Sequence, residues 1–142
     1  MRKKISYILA AAVVCCAAIA YVWPIAKMEF ASSAYYTQDD KREYDYYTPD
    51  LLKDMPRISE RYSFQYMNIS GPQAFVYGIK FEDAQDTTKV RDYLASAGYK
   101  PQEKCDLEAE CWKAGLTNDT VTVARITSPD TVLVQIYRSS YN

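Results

Sequence analysis

Residues 61–82 read RYSFQYMNISGPQAFVYGIKFE, and their period sets the fold class. Tyr62, Phe64 and Tyr66 fall on one side of a two-residue alternation, with Ser63, Gln65 and Met67 on the other. After the turn cluster Ser70-Gly71-Pro72 the alternation resumes, now grouping Phe75, Tyr77, Ile79 and Phe81. Two such runs around a short Gly-Pro turn predict an antiparallel hairpin.

The period then changes. In DAQDTTKVRDYLASAGYK (83–100), Val90, Tyr93, Leu94 and Ala97 fall at i, i+3, i+4 and i+7, one apolar stripe of a helix. Asp83 or Asp86 can cap its start, and Gly98 can end it in a left-handed turn. Its other face, with Lys89, Arg91, Asp92 and Ser96, suits solvent. Beyond it, TVTVARI (120–126) and TVLVQIYRS (131–139) alternate again around Ser128-Pro129-Asp130, a turn in which proline is expected at the second position. The segment CWKAG (111–115) can add one more strand. The expected domain, residues 58–142, is therefore α+β: a small antiparallel sheet in the order strand, strand, helix, strand, strand, with one main helix across one face.

Upstream, residues 28–57 are rich in tyrosine and charge and poor in aliphatic side chains. Residues 31–47 have no period of their own and read as a polar linker. Its five tyrosines (Tyr35, Tyr36, Tyr44, Tyr46 and Tyr47) are free to lie on a membrane surface, dock onto the domain or meet a partner. TPDLLKDMP (48–56) predicts a short helix, with Thr48 as its cap and Pro49 in its first turn.

At the N-terminus the basic cluster Met1-Arg2-Lys3-Lys4 precedes 22 residues, Ile5 to Ala26, without a charge. That length suffices to cross a hydrocarbon core, which needs about 20. Three readings of residues 1–27 compete: a signal anchor, a secretory signal cleaved after Ala18-Ile19-Ala20, and a lipoprotein signal acylated at Cys15 or Cys16. The anchor is preferred. The apolar run passes Ala20 into Tyr21, Val22 and Trp23, residues suited to a membrane interface, and neither cysteine follows the small residue that acylation normally needs. All three readings keep the basic end inside and export the rest. The expected location is a bacterial inner membrane with the domain in the periplasm, or soluble periplasm if cleaved.

Of 17 Lys and Arg, four (Arg2, Lys3, Lys4 and Lys27) lie in the first 27 residues, and all 18 Asp and Glu lie beyond, leaving the exported part at net −5. That charge argues against nucleic acid and anionic lipid and suits a basic protein. The chain has no histidine, which removes Ser-His-Asp, Cys-His and histidine–zinc chemistry. With four glycines and no phosphate-binding loop motif, nucleotide cradles are also not expected.

The remaining motif is EKCDLEAECW (103–112). The spacing of Cys105 and Cys111 does not match structural zinc or a redox Cys-x-x-Cys pair, and the other two cysteines lie in the apolar run. No metal or cofactor is expected. In an oxidising compartment the pair predicts a disulfide. It would present Asp106, Glu108 and Glu110 on a constrained loop beside Trp112, a candidate protein-contact surface; alternatively Trp112 packs inward. The function expected is non-enzymatic protein binding, most concretely by a periplasmic immunity protein or inhibitor facing a secreted toxin. The alternative is an accessory subunit of a secretion, pilus or other inner-membrane assembly.

Overall fold

The computed structural model of the protein describes residues 1–105 and 109–139. It divides into two units, Met1–Ala31 and Ser32–Asn142.

The first unit is one helix, α1 (Arg2–Glu29), long and apolar enough to cross a membrane. At ~1.5 Å per residue its 28 residues extend about 42 Å. Near its C-terminal end the Lys27 ammonium lies 5.5 Å from the centre of the Trp23 ring, one turn back.

The second unit is α+β. Its strands are β1 (Ser33–Tyr36), β2 (Tyr62–Ile69), β3 (Ala74–Glu82), β4 (Lys100–Pro101), β5 (Glu110–Lys113), β6 (Thr120–Thr127) and β7 (Asp130–Ser139). They form one sheet in the order β1-β2-β3-β7-β6-β5-β4, with every neighbouring pair antiparallel. The two expected hairpins, β2–β3 and β6–β7, meet through β3 and β7, and the extra strand at residues 111–115 exists as β5. In the β6–β7 turn, proline holds the third of the four positions Thr127–Asp130 rather than the second, and the Ser128–Pro129 peptide is cis.

Register sorts the side chains. Tyr36, Phe64, Ile79, Val134, Val123 and Glu110 lie opposite one another across six strands and so share a face. Phe64, Ile79 and Val134 are at most 1% exposed. This face carries the helices α2 (Lys41–Tyr47), α3 (Asp50–Lys53) and α4 (Thr88–Ser96). From α4 come the buried Val90 and Leu94, and the Tyr93 hydroxyl donates to the Leu51 carbonyl of α3 at 2.7 Å. Asp86 accepts the Thr88 N–H at the start of α4. At its end Gly98, at φ +92, donates to Ala95, and Tyr99 donates to Leu94. That pair of hydrogen bonds is the left-handed stop expected of Gly98.

Residues 28–57 depart from the linker reading, and the sheet unit begins at Ser32 instead of 58. Tyr35 and Tyr36 lie in β1, in register with Gln65 and Phe64. Tyr47 of α2 stacks on Tyr66 at 4.4 Å between centroids, and Tyr44 meets the Phe64 ring edge-on at 5.2 Å. The physical reason is that tyrosine buries a large ring while its hydroxyl keeps a polar partner, so a segment poor in aliphatics still has apolar area to bury. Thr48 does not cap α3: Pro49 stands at the cap, and the Thr48 hydroxyl shares a 2.8 Å hydrogen bond with that of Tyr36.

Candidate functional site

The predicted disulfide is present. Cys105 and Cys111 are bonded, with their Cα atoms 5.6 Å apart, within the usual range. Cys111 lies in β5, opposite Thr122 of β6, so the bond ties the loop after β4 to the sheet. Asp106 and Glu108, the two acids at the centre of the expected contact loop, lie outside the described residues.

Beside the disulfide is an open groove of about 570 Å³, lined by Arg91, Gln102, Glu103, Ala109, Glu110 and Trp112 among others. It opens where β4 ends: the Gln102 N–H still reaches the Cys111 carbonyl at 2.7 Å, and the chain turns away after it. Glu110 stands on the helix-covered face and is held by Arg91 of α4. The Arg91 Nε donates to Glu110 Oε2 at 2.9 Å, and its Nη2 pairs with Oε1. This forked pair fixes both planes, and both side chains line the groove. Glu110 is thus bound within the chain rather than presented free.

Trp112, the aromatic of the expected contact surface, is 6% exposed. It lies opposite Val121 of β6 and Pro101 of β4 on the helix-covered face, so its ring packs inward. Its indole Nε1–H is buried without a hydrogen-bond partner among the described residues. A buried donor left unpaired costs roughly 1–3 kcal/mol. Few such groups occur in a folded chain, so each calls for a cause.

A second polar cluster lies at the far end of the same face. Arg138 donates from Nε and Nη2 to the two carboxylate oxygens of Asp119 at 2.9 and 2.8 Å. Its guanidinium lies 5.2 Å from the centre of the Tyr77 ring. The hydrogen bonds that Arg138 donates to Asp119 raise the Arg138 pKa, and burial raises that of Tyr77. Two ends of a strand and a loop meet here only through the sheet, and no local pattern announced the pair.

Among the described residues, no group of three or more His, Cys, Asp or Glu is placed to hold a metal ion. Of the four sequence-picked contact residues, the structure brings Glu110 and Trp112 to one groove. It adds Arg91 and Glu103, which the sequence reading passed over. Arg91 read as part of a solvent face, and its partner is 19 residues away on another element. The chain matches no family model, no curated protein and no solved structure.

Proposed function

We propose that this chain is a non-enzymatic, membrane-tethered protein of a bacterial envelope whose exported unit binds a protein partner. In this reading α1 spans the inner membrane with its basic end in the cytoplasm, and the Ser32–Asn142 unit stands in the periplasm. The most concrete form is an immunity protein that holds a secreted basic toxin.

The observation that carries the reading is the unpaired Trp112 indole N–H at a groove walled by Glu103 and Glu110. A partner's carbonyl supplied there removes the cost of the unpaired donor. Glu110 is neutralised by Arg91, so a basic partner is favoured by Glu103 and by the net acidity of the unit. Reaching the donor requires a lining side chain to move aside, and Gln102 and Glu103 are both exposed.

The alternative, an accessory subunit of an inner-membrane assembly, is favoured by α1. Ala18, Val22 and Ala26, four residues apart, border a shallow depression of about 370 Å³ on it. With Ile19 and Trp23 they make an apolar surface against which another membrane helix can pack.

The test uses the full chain in detergent to capture partners from envelope extract, followed by affinity measurement against Trp112→Phe. An aromatic ring, though a smaller one, is kept and the donor removed, so the expected result is a soluble basic partner, released by salt, that the variant binds about 10-fold more weakly. Equal binding by Trp112→Phe removes the groove from the reading. Recovery of membrane proteins alone selects the alternative.

A further inference from the structure

The register gives the sheet two unlike ends. Ser33, Met67, Val76, Tyr137, Thr120 and Lys113 stand opposite one another across six strands, and β1 starts at this row. Beyond it the β2–β3 hairpin projects, with Ile69 beside its turn and 36% exposed. At the same end the β5–β6 connection turns at Gly115-Leu116. Leu116 is fully exposed and buries nothing in its own unit. Ile69 and Leu116 lie three to four strands apart, about 17 Å at ~4.8 Å per strand.

This end also receives the chain from α1. Three residues, Phe30, Ala31 and Ser32, join Glu29 to Ser33, and the Asn68 N–H holds the Ser32 carbonyl at 2.8 Å. An extended chain covers at most ~3.6 Å per residue, so the steps from Glu29 to Ser33 reach no more than about 14 Å. Phe30, within this tether, is 87% exposed. A membrane crossed by α1 is therefore within reach of this end of the sheet, and the short tether keeps its effective concentration high.

Charge is sorted between the two ends. Among the described strand ends and turns at the near end, the cations are Lys100, Lys113 and Arg138, and the acid Asp119 is bound by Arg138. Asp39, Asp40, Glu60, Glu82, Asp83 and Asp130 stand at the other end. Ile126, 47% exposed, stands there too, opposite Thr131, whose other neighbour is Glu82. The net acidity of the unit thus does not oppose a lipid headgroup layer at the near end, where the exposed Lys100 and Lys113 can meet phosphates. A single exposed apolar side chain needs no explanation. Two at the tethered end, with no free carboxylate in the turns that carry them, have the make-up of a surface that rests on lipid. We propose, on the reading that α1 crosses a membrane, that this end of the sheet docks on that membrane's surface, with Ile69 and Leu116 in the headgroup layer and the strands rising from it.

The test places nitroxide labels on the full chain in phosphatidylcholine vesicles. Ile69→Cys, Leu116→Cys and Ile126→Cys are labelled in a Cys15→Ser, Cys16→Ser background, and the native Cys15 is labelled in Cys16→Ser. The Cys15 label reports on α1 and is expected to be open to oxygen and closed to a water-soluble nickel chelate. Labels at positions 69 and 116 are expected to lose several-fold of their nickel accessibility relative to the label at position 126. Leu116→Asp is expected to return the label at position 69 toward water, shifting the docked fraction about 10-fold, the size of one leucine's transfer. Circular dichroism melts check that each variant is folded. Equal nickel accessibility at positions 69, 116 and 126, with the Cys15 label in lipid, overturns the docking alone. A Cys15 label open to nickel overturns the spanning of α1 and the docking with it. Protection at position 69 that survives Leu116→Asp assigns the shielding to another contact, such as a second copy, and overturns the proposal as well.

Discussion

At the β1 flank of the sheet, the rings of Tyr36, Tyr47, Phe64 and Tyr66 stack and tilt against one another at centroid distances of 4.4 to 5.8 Å. At the β4 flank, two two-to-four-residue strands rest on one buried tryptophan, one disulfide and one forked ion pair. The first flank is held by area removed from water, the second by a covalent tie across a short ladder. A sheet edge needs some closure, and the chain supplies it from whichever chemistry the local segment contains. The tyrosine-rich residues 28–57 make a packed flank, whereas the charged residues 100–113 need a staple.

Mutation separates the two kinds of closure. Phe64 is 1% exposed and touches Tyr36, Tyr44 and Tyr62, so Phe64→Ala is expected to cost about 3–5 kcal/mol in urea unfolding. Replacing both Cys105 and Cys111 with alanine is expected to cost about 2–3 kcal/mol by the loop-entropy account. In hydrogen exchange the loss should concentrate at β4 and β5 while β3 and β7 stay protected. If the double cysteine variant is the less stable of the two, the ranking of the flanks is wrong.

Two smaller effects probe one contact at each flank. Burial, opposed by the Thr48 hydrogen bond, pushes Tyr36 up to about 12 from an ordinary 10.0. A raised folded pKa favours the neutral phenol, so its contribution to stability is complete below pH 10 and is lost as pH rises towards 12. Tyr36→Phe should start about 1 kcal/mol lower at neutral pH, because Thr48 loses its partner. It should then lose less than the wild type between pH 10 and about 12 in urea titrations. At the other flank, Arg91 and Glu110 have side chains 49% and 39% exposed, so Arg91→Ala should cost only about 0.2–1 kcal/mol. A larger loss would mean that the ion pair, and not the disulfide, is what holds β5.

The same contrast explains how far each flank could be read in advance. The two hairpins, α4 with its Gly98 stop and the disulfide carry signals inside a single segment: a period, a turn residue, a pair of cysteines six positions apart. β1 has none. Ser33–Tyr36 is four residues long and becomes a strand only because Phe64–Met67 offers it an edge in register. The short helix α2 is similar: KREYDYY has charge all round, and what fixes it is the fit of Tyr44 and Tyr47 against Phe64 and Tyr66. Glu110 and Trp112 were visible as residues with chemistry, but their orientation was not, since it depends on which face β5 turns to α4.

Period, composition and short spacing act locally along the chain. They were enough for the α+β class, the apolar N-terminal helix, the acidity of residues 28–142 and the bonded cysteine pair. Packing alone made the tyrosines part of the sheet unit, tied Glu110 to Arg91 and left the Trp112 N–H without a partner among the described residues. Such contacts join residues 12 to 42 positions apart, and no local pattern encodes which of the possible partners the packing will choose.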